Sequence, residues 1–248
     1  MVDIMINENK MIEVKNLNKS YGKHQVLFDV NFDIYEGELF GLIGKNGAGK
    51  STTIECILGA KKFDSGEILV DHKNINKDAL EIKKIIGYVP SEPTCYLDMT
   101  GYDYLNFVGS LYQVSFKTFI DNVDFLVKLF DFLEKDLYRP IREYSHGMQQ
   151  KICLMASLIH NPKIWILDEP TVGLDPVAAN ELTKLIKEFI KHNKSCFIAS
   201  HNIEMIAKLC DRVAIVKDGE ISEIIDLKNN PNMRSKIPSI FMKVYNLL

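Results

Sequence analysis

Three groups of residues have the types and spacing that phosphate chemistry needs. The first is Gly44-Lys45-Asn46-Gly47-Ala48-Gly49-Lys50-Ser51-Thr52, which fits the phosphate-binding loop pattern GxxxxGK(S/T). Gly44, Gly47 and Gly49 let the backbone curl so that its N–H groups converge on phosphate oxygens, at the positive end of a helix beginning near Lys50. Lys50 adds a point charge for the outer phosphates, and Ser51 offers a hydroxyl to Mg2+. The second group is Asp168-Glu169, 118 positions after Lys50, closing the apolar run Ile164-Trp165-Ile166-Leu167. Alone, such a pair could cap the next helix. Beside a phosphate loop, the first acid suits Mg2+ and the second suits a base for water, which points to nucleoside triphosphate hydrolysis. The third is His201, just after the apolar run 196–199. A lone histidine is usually a surface or satisfied core residue, but one at the carboxyl end of a parallel strand stands where ligands of open α/β sheets bind.

The elements around these residues read as α/β. Short β-branched and apolar runs at 12–17, 26–34 and 39–43 are separated by polar or glycine-containing breaks and predict strands. Further compact runs at 85–89, 164–167, 196–199 and 213–216 alternate with helical stretches, which argues for a largely parallel sheet covered by helices. A helix-like run, 53–58, follows the phosphate loop, and another, 149–159, follows Ser145 as a serine cap. Between Thr100 and His160 the apolar residues recur at helical spacing, predicting an inserted helical subdomain at about 91–160. The aromatics Tyr102, Tyr104, Phe107, Tyr112, Phe116 and Phe119 are assigned to its core. Residues 1–225 then form one domain, and 226–248 a partly helical C-terminal extension that packs as a terminal helix or contacts a partner.

Composition narrows the function. The 248 residues are 46% hydrophobic and 25% charged, the balance of a soluble globular protein. A formal charge of −3 argues against a general nucleic-acid binder, so phosphate recognition must be local. The five cysteines are scattered and form no CxxC pair, which predicts neither a disulfide framework nor a zinc site, a reducing-compartment pattern. The amino terminus is a poor signal peptide, and no apolar stretch approaches the roughly 20 residues that span a bilayer.

With these residues in view, the chain resembles the nucleotide-binding subunit of an ATP-binding cassette (ABC) transporter over about residues 11–225, closest to bacterial exporter cassettes. The resemblance implies a P-loop NTPase core of mainly parallel sheet, with an N-terminal antiparallel β subdomain and an inserted helical subdomain. Tyr21 matches the aromatic on which adenine stacks, residues 44–52 the Walker A loop, and Ser145 to Gln149, with Gly147, the signature sequence. Walker B ends at Asp168, followed by the catalytic Glu169; Asp175 belongs to the loop that communicates across the dimer, and His201 is the switch histidine. The family implies two such chains sandwiching two ATPs with Mg2+, each site pairing one subunit's Walker loop with the other's signature. It also implies a separate membrane permease and a peripheral place on the cytoplasmic face of the membrane.

Two departures stand out. Most cassettes place a glutamine after the strand that here ends Tyr88-Val89-Pro90, whereas this chain has Ser91 followed by Glu92. The shorter serine is assigned a water-mediated contact, with Glu92 as the competing ligand. The signature has Tyr144 for the usual leucine and His146 for a glycine, while Ser145 and Gly147 remain. Three other functions share the phosphate loop. A soluble cassette acting on ribosomes or DNA would tend to carry two cassettes, a coiled-coil insert or zinc-binding cysteines. A GTPase would need Asn-Lys-x-Asp, and none of the four Asn-Lys pairs has Asp two positions after its lysine. A nucleotide-binding regulator without turnover is opposed by Glu169 and His201.

Overall fold

The computed structural model describes residues 9–92, 95–172, 174 and 176–247. In chain order its elements begin with β1 (Lys10–Tyr21), β2 (His24–Tyr35), β3 (Leu39–Ile43), α1 (Lys50–Ile57), β4 (Ser65–Val70) and β5 (Lys73–Asn74). Next come α2 (Ala79–Ile85), β6 (Ile86–Val89), α3 (Gly101–Leu111), α4 (Phe116–Leu129), α5 (His146–Leu158) and β7 (Ile164–Asp168). The last are α6 (Pro176–Ile190), β8 (Ser195–Ser200), α7 (Ile203–Leu209), β9 (Arg212–Lys217), β10 (Glu220–Asp226) and α8 (Ile237–Val244). The chain divides into two compact units, Met1–Ile82 with Ile190–Leu248, and Lys83–Phe189.

The first unit holds both kinds of sheet. β1 and β2 form a long antiparallel hairpin, and β1 also pairs antiparallel with β4, which pairs with β5. β3 lies between β8 and β9, parallel to both, and β10 folds back antiparallel on β9. The five residues of β3 are all buried, as expected of a central parallel strand covered on both faces. Phe32 of β2 stacks on Phe40 of β3 at 5.3 Å between ring centroids, and Phe197 of β8 lies 5.8 and 6.0 Å from them. This trio packs the antiparallel hairpin on the parallel strands, so burial of large aromatic faces fixes where β3 ends and the phosphate loop begins.

In the second unit β6 and β7 pair in parallel, with Val89 opposite Leu167. Trp165 of β7 is fully buried, its indole N–H donating to Ser157 Oγ at 2.9 Å, which satisfies the one polar atom that burial would otherwise strand. Helices α3 to α5 fill residues 101–158. α3 and α4 start at Thr100 and Ser115, whose side-chain oxygens accept from Asp103 N and Thr118 N. The architecture is α/β, with a mainly parallel core, an antiparallel N-terminal β layer and a helical insertion.

Several expectations are corrected. Ile85 closes α2 instead of opening a strand, because Ile82 and Ile85 continue a helical spacing right up to β6. Strands β4, β5 and β10 add to those expected. Only part of the aromatic group is core: Phe119 is buried, but Phe116 is 75% exposed at the first position of α4. Cys95 and Cys153 are joined by a disulfide, where the scattered cysteines predict no disulfide framework. The fold brings together two cysteines 58 residues apart, a proximity that linear spacing does not encode.

Candidate functional site

The phosphate loop of the first unit connects β3 to α1. Gly49 is the residue before α1 and has φ of 105°, a left-handed conformation that a side chain would strain. A Cβ there would also stand 2.7 Å from Leu27 Cδ2. At Gly44 a Cβ would lie 2.6 Å from the Val216 carbonyl oxygen, so the loop is pressed onto the end of β9 where only glycine fits. Gly219 N–H, in the β9–β10 turn, donates to Ala48 O at 3.2 Å. The Thr53 hydroxyl donates to Gly49 O at 2.9 Å and ties the first turn of α1 to its cap.

Lys50 is only 5% exposed. Its ammonium donates to Gly44 O at 2.9 Å and to Lys45 O at 3.3 Å, which curls the side chain back over the loop. The start of a helix leaves N–H groups without intrahelical acceptors and carries the positive end of the helix dipole. Lys50, Ser51 and Thr52 occupy that start, with Ser51 exposed. The loop is built to receive an anion of several charges.

His201 follows Ser200, which lies opposite Ile43 in the parallel register of β8 and β3. The histidine and Gly44 therefore both leave the sheet from paired strand ends, and His201 is exposed there. Asn202, the next residue, caps α7 by accepting from Met205 N, and its own N–H donates to Ser200 Oγ. Tyr21 ends β1 opposite His24 and is 43% exposed, with the Lys19 ammonium 4.7 Å from its ring centroid. An exposed ring with a cation on it is a free stacking surface of the kind an adenine base can cover.

The second unit carries the carboxylates. Asp168 is the last residue of β7 and 2% exposed, and Glu169 follows with φ of 50°. A left-handed glutamate is uncommon, and such strain concentrates at sites where a side chain must be aimed. The turn is held by Val172 N–H donating to Glu169 O at 3.1 Å. Ser91 and Glu92, both exposed, follow β6. Because Val89 lies opposite Leu167, Ser91 and Glu169 each stand two residues beyond paired ends of neighbouring parallel strands.

Ser145 caps α5, its hydroxyl accepting from Met148 N at 3.3 Å, so the helix starts at His146, earlier than the apolar pattern predicts. Among the described residues nothing lies within 4 Å of a Cβ placed on Gly147. Gln149 turns back on the preceding segment, donating to Ile141 O at 3.3 Å and Tyr144 O at 3.4 Å. Tyr144 is a buried anchor: its hydroxyl donates to Asp136 O and fills the space that Gly101 leaves by lacking a side chain. Burial foremost pushes that hydroxyl up to about 12, so it remains a donor. Gln150 Nε2 donates to Pro170 O at 3.0 Å, and the Cys95–Cys153 disulfide ties the chain just beyond Glu92 to the same helix. α5 is thus linked to the segments that follow both β6 and β7.

The first unit brings together residues 44–52 and His201, and the second brings Ser91 beside Asp168 and Glu169 and joins both strand ends to α5. Asp175 lies outside the described residues. Sequence reasoning missed Gln150, Cys95 and Tyr245, the last of which touches the phosphate loop from the C-terminal extension. Only the polar Gln150, at a buried position of an otherwise apolar helix face, left a signal in the sequence.

A family model described as ABC transporter matches residues 27–172. The linearmycin resistance ATP-binding protein LnrL of Bacillus subtilis is 35% identical over 214 residues, covering 86% of this chain and 68% of that protein. The lantibiotic transport ATP-binding protein SrtF of Streptococcus pyogenes is 35% identical over 211 residues, covering 85% of this chain and 89% of its own length. Among solved structures, a dimeric ATP-binding cassette in a post-hydrolysis state, bound to ADP and Pi, aligns with a TM-score of 0.78 at 26% identity, covering 88% of this chain and 99% of that one.

Proposed function

Because the chain belongs to the ABC transporter family, as an ATP-hydrolysing subunit that powers a separate membrane permease, we propose that its ATP sites are completed only in a dimer and that the transport is export. The observation that carries this reading is the start of α5: a helix capped by exposed Ser145, with nothing among the described residues within 4 Å of a Cβ placed on Gly147. Ser145, Gly147 and Gln149 would there face the γ-phosphate held by the Walker loop of a second subunit, offering hydrogen-bond donors and a positive helix end.

In this reading the amides of residues 44–52 and the Lys50 ammonium hold the phosphates, and Tyr21 stacks on the adenine. Glu169 takes the proton of the attacking water, and His201 contacts the γ-phosphate end of the site. Asp175 acts across the dimer. Ser51 and Asp168 supply a hydroxyl and a carboxylate, hard oxygen donors that suit Mg2+. Bound there, Mg2+ would neutralise charge between the β- and γ-phosphates. Ser91 would reach it through a water, being shorter than a glutamine.

No helix among the described residues is long and apolar enough to cross a membrane. The work must then pass to the permease at a docking surface on the cytoplasmic face, and the second unit offers one. Tyr96 and Leu97 are exposed, and the Tyr96 ring sits edge-on to Phe107 at 5.5 Å, with exposed Leu111 further along the same helix. Exposed aromatic and aliphatic groups clustered this way mark a protein interface. Tyr96 and Leu97 lie a few residues after Ser91 in the chain, so the link from γ-phosphate to permease is short. The names of the relatives support amphiphilic antibiotics or peptides as the exported class.

The test is recovery. At native level the protein should pellet with membranes and crosslink to a multispanning subunit, and Phe107→Asp or Leu111→Asp should release it while basal ATPase activity persists. Recovery mainly with ribosomes or DNA, with no membrane subunit crosslinked, would reject the permease partner in favour of a soluble cassette.

A further inference from the structure

The C-terminal extension ends against the phosphate loop. Tyr245, the residue after α8, accepts a hydrogen bond at its hydroxyl from the Lys45 backbone N–H at 2.9 Å and donates to Val216 O at 2.7 Å. Its ring is fenced by Phe241 at 4.5 Å between centroids and by the ammonium groups of Lys45 and Lys217, 4.9 and 6.0 Å from its centroid. Lys217 Nζ also donates to Val244 O at 2.9 Å and fastens the end of α8 to the same β9–β10 hairpin that supports Gly44 and Ala48.

The Lys45 N–H and the Gly44 carbonyl belong to one peptide group. Tyr245 holds its N–H, and the Lys50 ammonium donates to its oxygen at 2.9 Å. A planar amide held at both ends cannot rotate without breaking one of the two bonds, and each bond polarises the group in favour of the other. The direction of the Gly44 oxygen, the shorter of the two carbonyl contacts of the Lys50 ammonium, is therefore held by a hydroxyl from 200 residues away.

We propose that Tyr245 is a positioning residue of the nucleotide site, orienting Lys50 through the Gly44–Lys45 peptide and coupling docking of α8 to occupancy of the loop. This rests on reading residues 44–52 as the triphosphate site. Coupling of this kind is reciprocal: if a docked α8 favours nucleotide, nucleotide must favour a docked α8 by the same factor.

The experiment uses the full-length chain, with MgATP affinity from titration of a fluorescent ATP analogue, steady-state ATPase kinetics, and amide hydrogen exchange across α8 with and without MgATP. Tyr245→Phe keeps the ring and removes only the hydroxyl. It should weaken MgATP affinity and raise KM about 3- to 10-fold, the worth of one such hydrogen bond, with kcat changed less than about 2-fold. In the unmodified chain MgATP should slow exchange across α8, and in Tyr245→Phe that slowing should shrink. An unchanged affinity in Tyr245→Phe, or α8 exchange indifferent to MgATP in the unmodified chain, would overturn the proposal; the second arm decides even where the variant does not fold. Lys50→Ala separates the two readings. If it binds MgATP as the parent does, the triphosphate site itself is wrong. If it loses binding while Tyr245→Phe does not, only the role of Tyr245 falls.

Discussion

Two helix starts in this molecule, those of α1 and α5, differ in how their own chain surrounds them. α1 begins after a left-handed glycine with no side-chain cap, and the loop before it is pressed between Leu27, Val216 and Gly219, with Lys50 folded in. α5 begins after a serine whose hydroxyl is already spent on Met148 N, with Ser145 and His146 exposed and, among the described residues, nothing within 4 Å of a Cβ placed on Gly147. The first is a closed cradle that can take an anion without help. The second presents a positive helix end outward, complementary to something held elsewhere. In the proposed dimer, a chain that builds one of each supplies both parts of a site that a second copy completes.

The largest effect that this contrast predicts lies beside the second helix start, not within the cradle. Glu169→Gln keeps the side-chain shape and removes the base, so turnover should fall by about 10^2 to 10^4 while MgATP affinity stays within a few-fold. An ATP-bound dimer should accumulate. Single-turnover hydrolysis and equilibrium binding, measured on the same preparation, check both halves. A variant that hydrolyses at the parent rate removes Glu169 from the chemistry, and one that loses binding shows that the two units do not divide the labour as described.

How far these features could be read in the sequence follows from how local each is. The loop at 44–52 and the Ser145 cap are set by residues within one or two turns of each other, and both were legible. So were β3, β7 and β8, continuous apolar runs buried throughout. β4 and β10 were not, because each buries only part of one face and leaves its glutamates in solvent, so the strand pattern is diluted. The meetings of Cys95 with Cys153 and of Lys45 with Tyr245 depend on chain closure over 58 and 200 residues, which no local pattern reports. Phe116 was misassigned for a related reason: helical spacing identifies a face, but whether another element covers that face is decided by tertiary packing.

A smaller effect should separate the helix starts directly. Ser145→Ala removes the α5 cap, a loss of about 1 kcal/mol at the helix terminus. In the Glu169→Gln background, where dimers persist, the ATP concentration that half-saturates dimerisation should rise about 5-fold, since the helix end that meets the partner's nucleotide is loosened. Binding to the monomer should not change. Light scattering against ATP concentration, beside nucleotide binding at protein concentrations too low for dimers, distinguishes the two. Equal dimerisation curves with and without the cap would mean that the start of α5 does not face nucleotide.

The smallest effect is expected at Ser91. It is exposed, and it follows β6 at the level where Glu169 follows β7, so it is near enough to the end of the strand pair to touch water held there. A serine hydroxyl acting through one water contributes an exchangeable, weakly oriented hydrogen bond, and its loss should lower turnover only about 2- to 5-fold, within the worth of a single neutral hydrogen bond. Glu92→Ala is the discriminating partner experiment, because a carboxylate that ligated the ion directly would be missed far more, and its removal would shift the Mg2+ dependence of turnover to higher concentration. With Ser91→Ala mild and Glu92→Ala neutral, the reaction takes no direct metal ligand from the segment after β6, and the serine is an auxiliary. A Ser91→Ala defect as deep as that of Glu169→Gln would instead make Ser91 a direct participant, and the chemistry would then draw equally on the ends of β6 and β7.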